Sequence, residues 1–437
     1  MEVAHQIYTR KSNFPINTLE VDVFMKDKRC INCGSQKLNE FIDLGIQPNG
    51  NNFPTTETKD SEPLFHISMM VCEDCWQVQI SEFPPQKFLF SNHPYITGVN
   101  IPVLQYFEHL VLKTIKKLDL SPNSLVLDIG CNDGSLLKVF QSHGMRVLGV
   151  DPGLRSGELA KSQGTIVCRS FWNLETGKAM QKLGLQPDLI TATAVFYHLP
   201  DLHSFIEGLK QVMHKNSVFM VQCVNLGDLI RKNQFDHFYH EHSCIHSITA
   251  LQRLFTNCGM RPLDVEYVDV HGGSFVLYVG LYAHPSITNE SIQNALDAEA
   301  KMGLLCMSTY IDFADRVRKN AKNLVTLLTQ LKEENKRVFA LGAPVKGSTL
   351  LNYCNIGPDL VEYATEVNKF KIGLLTPGTH IPIVDEKLLS ERPDYYLILC
   401  WNYLDYLISK YKTYLLSGGK FIIPVPEVRI LSFQDLS

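Results

Sequence analysis

The chain has 437 residues, 45% hydrophobic and 20% charged, with a formal net charge of −4. That length holds about two to four domains with cores of their own, and the charge balance excludes a strongly basic nucleic-acid binder. No run approaches the ~20 apolar residues of a membrane span, and Met1 to Glu20 lacks the apolar core of a signal peptide. A cytoplasmic chain with no membrane partner is therefore expected.

Residues 1–27 are polar and aperiodic, and are expected to form a flexible N-terminal extension. From Arg29 to Phe90 turn residues accumulate (Pro48, Asn49-Gly50-Asn51-Asn52, Pro54, Pro84-Pro85), which predicts a small, loop-rich module, placed at 28–95. It carries two C-x-x-C pairs, Cys30/Cys33 and Cys72/Cys75, about forty residues apart. A tight turn aims two thiolates at one point, and two such turns make a tetrahedral sulfur site suited to zinc. Gly34 eases the first turn. Four thiolates close the coordination sphere, so the zinc is expected to be structural rather than catalytic. A thioredoxin-like reading needs a single pair at a helix start beside a sheet, and that context is missing. The other eight of the twelve cysteines are scattered singly, as in reduced cytosolic chains.

Ile101 to Lys117 has apolar residues at helical spacing (Val103, Phe107, Leu110, Val111, Ile115) and predicts a connecting helix. From Ser124 the pattern becomes α/β. Strands are expected at Leu125–Ile129, Arg146–Val150, Leu189–Ala192 and Ser217–Val224, with helices between them, giving a mostly parallel sheet over 96–285. Ile287 to Glu334 reads as one long bridging helix. A second α/β unit completes 286–437, with strands at Arg337–Leu341, Tyr395–Cys400 and Lys420–Pro424.

The first strand of the central unit runs into Asp128-Ile-Gly130-Cys-Asn132-Asp133-Gly134. A glycine-rich strand-to-helix turn brings a ligand against backbone and helix N-terminus. A dinucleotide fingerprint needs glycine where Asn132 and Ser135 stand, so NAD fails. An acid followed by Gly-x-Gly-x-Gly is the pattern for S-adenosylmethionine (SAM), and Asn132 is the non-glycine residue that best tolerates a left-handed backbone. Asp151 ends the next strand, where a carboxylate takes both ribose hydroxyls. Asp128, Gly130, Asn132, Gly134, Asp151 and Ala194 are the expected cofactor residues.

Taken with Ala194-Val-Phe-Tyr-His198, Phe235-Asp-His-Phe-Tyr239-His-Glu241-His242, His271-Gly-Gly-Ser274 and Gly342-Ala-Pro-Val-Lys346-Gly347, these motifs resemble the sugar C-methyltransferases of deoxysugar biosynthesis from about Arg29 to the end. The resemblance implies a zinc-binding module, a class I SAM methyltransferase domain and a C-terminal Rossmann-like domain. It implies methylation at C3 of a dTDP-linked 4-keto-deoxysugar. Such a ring carbon becomes nucleophilic only as an enolate, so the chemistry needs a base titrating near neutrality. By the resemblance His242 is that base. Glu241 orients it or holds a sugar hydroxyl, Tyr239 and His198 serve the enolate oxygen, and Tyr95 lines the pocket. His240 and His246 are expected to be structural or on the surface. Lys346 is expected on the substrate diphosphate, with Asn225, His271 and Ser274 as further substrate contacts. A monomer without nucleic acid is expected.

Three departures from that family's pattern put the particular sugar in question. Val276 stands where an arginine is usual, Gln222 where an acid is usual, and Tyr95-Ile-Thr-Gly98 matches its segment loosely. Two other classes compete. An RNA methyltransferase gripping through the zinc module would want a basic stripe. Between the cysteine pairs Glu40, Asp43, Glu57, Asp60 and Glu62 stand against Lys37 and Lys59, which disfavours a phosphate backbone. A non-catalytic SAM-binding scaffold would have lost its loop or its histidines, and neither is missing.

Overall fold

In the computed structural model, which describes residues 28–91, 93–389 and 391–436, the chain builds three sheets. The expected N-terminal extension lies outside the described residues. β1 (Leu38–Pro48), β2 (Leu64–Cys72) and β3 (Val78–Ile80) form an antiparallel meander. The module is thus more regular than its turn-rich sequence predicts: β1 runs through Gly45 to Pro48, and Gly50, Pro54 and Pro63 fall between β1 and β2.

The central sheet contains β4 (Leu125–Ile129), β5 (Arg146–Val150), β6 (Val167–Cys168), β7 (Leu189–Thr193) and β8 (Val218–Val224) in parallel. β9 (Cys244–Ile245) leaves this unit and pairs with β3, completing the N-terminal sheet in the order β1-β2-β3-β9. β10 (Met260–Val268) and β11 (Ser274–Leu281) return as an antiparallel edge, giving the order β10-β11-β8-β7-β4-β5-β6. This is a doubly wound sheet whose strand order reverses at β4, where ligands of such sheets bind.

The third sheet contains β12 (Val338–Leu341), β13 (Ala364–Glu366), β14 (Ile383–Asp385), β15 (Tyr395–Ile398), β16 (Lys420–Ile423) and β17 (Arg429–Leu431), ordered β14-β13-β12-β15-β16-β17. All but β17 run parallel. Its order reverses beside β12, making a second switch point.

The helix Ile101–Leu118 starts on Asn100, whose side chain accepts from the Val103 N–H, and ends at Asp119 in left-handed geometry. The expected single helix over 287–334 is two, Glu290–Lys301 and Met307–Glu333. The chain turns between them at Gly303, which has φ +79°. One continuous apolar core joins all three sheets. Phe41 of β1 sits 6.0 Å from Phe238 and 5.2 Å from Tyr310 of the second helix, so the N-terminal module is packed into the body of the protein.

Candidate active site and zinc centre

At the C-terminal ends of β4, β5 and β7 a cleft opens, lined among others by Asp128, Gly130, Asn132, Asp151, Ala194 and His198. The turn after β4 needs a left-handed backbone at Gly130 (φ +74°), Asn132 (φ +50°) and Gly134 (φ +78°). A Cβ on Gly130 would lie 2.4 Å from Val195, so only glycine keeps the cradle open. Asp128 is buried, accepts from the Thr191 hydroxyl at 2.6 Å, and is pushed up to about 7 by burial. Asp151 accepts from the Asn132 and Gly153 amides and from Ser156. Oδ1 takes two of these bonds and Oδ2 one, so Oδ2 keeps a lone pair for a ribose hydroxyl.

The segment before the connecting helix closes over this loop, which the sequence does not reveal. Thr97 N–H donates to Asn132 Oδ1 at 3.0 Å, Gly98 N–H to Asp133 Oδ2 at 2.8 Å, and Asn132 Nδ2 to the Tyr95 carbonyl at 3.1 Å. Tyr95 stands at the cleft with 43% of its surface exposed.

The Tyr239-to-His242 segment is a tight turn, with His242 N–H donating to the Tyr239 carbonyl at 2.8 Å, rather than a strand. Glu241 points into the cleft and is 3% exposed. Its oxygens meet Asn51 Nδ2 at 2.7 Å and His93 Nε2 at 3.1 Å. Burial alone would raise the Glu241 carboxyl, but His93, with His198 and Asn51, holds the group below its usual range. The same pair lifts His93 against its own desolvation. His93 and Asn51 come from the N-terminal module and complete the site; sequence reasoning passed over both.

His198 lines the cleft, with Nδ1 2.6 Å from the Glu241 carbonyl. His242 lies behind it. The two ring centres are 5.2 Å apart, and Tyr239 covers His242 at 3.9 Å. His242 Nδ1 is 2.7 Å from the His237 carbonyl. A carbonyl only accepts, so Nδ1 carries the proton and Nε2 the lone pair. Burial, then His198 and His237, hold His242 well below the usual histidine value. Burial holds the Tyr239 phenol well above its own. His240 and His246 are both interior, against Phe65 and Cys244 respectively, so neither is a surface group.

The other expected substrate residues divide. His271 lines the cleft, in left-handed geometry. Asn225 and Ser274 do not line it. Asn225 caps the helix Leu226–Arg231 by accepting from Gly227 N–H, and Ser274 donates to the Val270 carbonyl. Lys346 is inside the helix Val345–Tyr353 rather than in the preceding loop, and is 9% exposed. Gln222 lies in the cleft with its Nε2 unpaired among the described residues, and Val276 is fully buried in β11.

The sulfurs of Cys30, Cys33, Cys72 and Cys75 all lie within 4.8 Å of one another. Cys30 and Cys75 are 3.4 Å apart, and Cys33 and Cys72 3.6 Å, close to the ~3.8 Å edge of a tetrahedron with zinc–sulfur bonds of about 2.3 Å. The two knuckles match: Gly34 N–H donates to the Cys30 carbonyl and Trp76 N–H to the Cys72 carbonyl, each at 2.8 Å. The donor set fits zinc and leaves no ligand position for chemistry.

A left-handed loop at a switch point, a carboxylate on the adjacent strand and a sealed four-sulfur centre define a SAM-dependent methyltransferase with a structural zinc module. Three family models match in succession: a zinc binding domain over residues 30–90, a methyltransferase domain over 104–265 and a C-methyltransferase C-terminal domain over 269–426. The C-methyltransferase NovU of Streptomyces niveus is 30% identical over 416 residues, covering 95% of this chain and 99% of that protein. The chain belongs to the C-methyltransferase family. Among solved structures, magnesium protoporphyrin IX methyltransferase from Synechocystis with bound S-adenosylhomocysteine (SAH) is 16% identical. It covers 41% of this chain and 82% of its own, with a TM-score of 0.31. A SAM-dependent methyltransferase from Anabaena variabilis is 16% identical over 40% of this chain and 84% of its own, with a TM-score of 0.33. Among the described residues no helix is long and apolar enough to cross a membrane.

Proposed function

We propose that the protein methylates C3 of a dTDP-linked 4-keto-deoxysugar, acting as a cytoplasmic monomer without nucleic acid. The bound SAM supplies an electrophilic methyl group. His242 Nε2 takes the proton from C3 and the electron pair moves into the C4 oxygen; the C3 carbon would then take the methyl as its bond to sulfur breaks and SAH leaves. Tyr239, kept protonated by burial, donates a hydrogen bond to the enolate oxygen, with His198 beside it. Glu241, kept ionised by His93, accepts from a sugar hydroxyl. Tyr95 closes the mouth.

The observation that carries this reading is the fixed His242 tautomer, held by the His237 carbonyl at 2.7 Å. It presents a neutral nitrogen base next to the cofactor cleft, 5.2 Å from the His198 ring. A second reading exchanges the histidines, because His198 itself lines the cleft and is also anchored through Nδ1.

Incubation with SAM and dTDP-4-keto-6-deoxyhexoses, followed by mass spectrometry and carbon NMR, should show one added methyl bonded to ring carbon. SAH formation with the methyl on oxygen, or none across the 4-keto series, would sink the proposal.

A further inference from the structure

Behind His242 lies a second group of polar side chains that the methyl-transfer scheme does not use. Asp236 is fully buried and its Oδ2 accepts from the Trp401 indole N–H at 2.6 Å. Its Oδ1 has no partner among the described residues. The same holds for both ring nitrogens of His237, for Gln234 Oε1 and for Asn402 Oδ1. Lys346 places its ammonium 4.0 Å from the centre of the Trp401 ring. The His237 ring is 6.1 Å from the same indole. Gln234 Nε2 donates to the Gly272 carbonyl, beside His271 of the cleft.

Five unpaired buried atoms around one indole are not ordinary. Native interiors leave few such groups, because a buried donor or acceptor with nothing to meet it keeps the full penalty of its lost hydration. Their position is telling. Trp401 follows β15 and Lys346 follows β12, at the switch point of the third sheet, where α/β ligands sit. His237 and Asp236 come from the central unit. The His242 ring is 6.0 Å from the His237 ring of this cluster and 5.2 Å from the His198 ring of the cofactor cleft.

We infer that the Asp236–His237–Lys346–Trp401 cluster is a substrate subsite for a neutral donor–acceptor group, either a ring hydroxyl of the sugar or the imide edge of the pyrimidine. The inference rests on the nucleotide-sugar reading above and alters the expected role of Lys346. The Asp236 carboxylate opposes the Lys346 charge, so the pair is matched to a group that accepts from one and donates to the other, not to a diphosphate. Burial pulls Lys346 down to about 8 against the pull of Asp236, which also weakens it as a phosphate clamp.

Asp236→Asn gives the sign. The amide oxygen stays with Trp401, and the unpaired acceptor becomes an N–H donor. Titration calorimetry on the zinc- and SAH-loaded full chain would compare dTDP-4-keto-6-deoxyglucose with dTDP alone. Asp236→Asn and His237→Phe are each expected to weaken the nucleotide-sugar at least tenfold while SAH affinity stays unchanged. If the sugar hydroxyl meets the cluster, dTDP alone is unaffected; if the imide does, dTDP weakens by the same factor. Tighter nucleotide-sugar binding in Asp236→Asn, as a phosphate on Lys346 would give, overturns the inference, and so does an unchanged Kd in both variants. Wild-type protein that binds no nucleotide-sugar overturns the function proposal and this inference together. Where His237→Phe fails to fold, as judged by lost SAH binding, His237→Asn carries the same comparison.

Discussion

His242 is set in one tautomer by a backbone carbonyl before any substrate arrives. As the proposed base it must be neutral, and its value is held well below the usual histidine range by burial and by His198 and His237. The acid limb of kcat/KM should therefore lie below about pH 6.5, the unperturbed histidine value, with a flat profile from there to about pH 8. His242→Gln should lower kcat by about 10²- to 10⁴-fold with SAH affinity intact. An acid limb at or above pH 6.5, or an undiminished kcat, counts against the assignment. At this scale the left-handed geometry of the loop after β4 is legible in sequence, because it restricts Gly130, Asn132 and Gly134 to few residue types. The partners of Glu241 are not. His93 and Asn51 lie 148 and 190 positions away in the chain, and no local pattern links them to it.

Among elements, the two-residue β9 matters out of proportion to its length. It follows the Tyr239-to-His242 turn directly and pairs with β3, which begins three residues after the knuckle cysteine Cys75. Ile80 N–H also donates to the Ser243 carbonyl. The zinc knuckle thus fixes β3, β3 fixes β9, and β9 fixes the position of Glu241 and His242. Removing zinc with a strong chelator is expected to abolish methyl transfer while SAH binding is retained, because the cofactor loop hangs from the central sheet. Full turnover in metal-free protein, measured alongside zinc content, would refute this coupling. Of the central sheet, β4, β5, β7 and β8 are legible because their apolar runs are bounded by turns, while the longer antiparallel β10 and β11 are not among the expected strands. A two-residue strand carries no period to read. The break at 302–306 is equally silent, since Gly303 is the only helix breaker between two amphipathic stretches.

For the whole molecule, the shared core ties stability to histidine protonation. His240, His246 and His271 are held down to about 4 by burial, and His237 and His242 lie well below 6.5 for the same reason. A depressed histidine binds its proton more readily in the unfolded chain. The stability it contributes is whole above pH 6.5 and is lost as pH falls toward the folded value. Each unit of depression corresponds to about 1.4 kcal/mol. The urea midpoint should therefore fall steeply between about pH 6.5 and 5, before most carboxylates titrate. A midpoint constant over that interval would show that these histidines open to water without cost. Three units in series were legible from the change of pattern along the chain. Their fusion through Phe41, Phe238 and Tyr310 was not, because an apolar residue in sequence does not name its partner.

That fusion sets a schedule for synthesis. The N-terminal meander emerges from the ribosome first, yet its last strand is encoded at Cys244–Ile245, well over a hundred residues after β3 ends at Ile80. Until then β3 presents an unpaired edge of the kind that recruits other chains. Zinc captured early by the four cysteines would hold the meander in register through that wait.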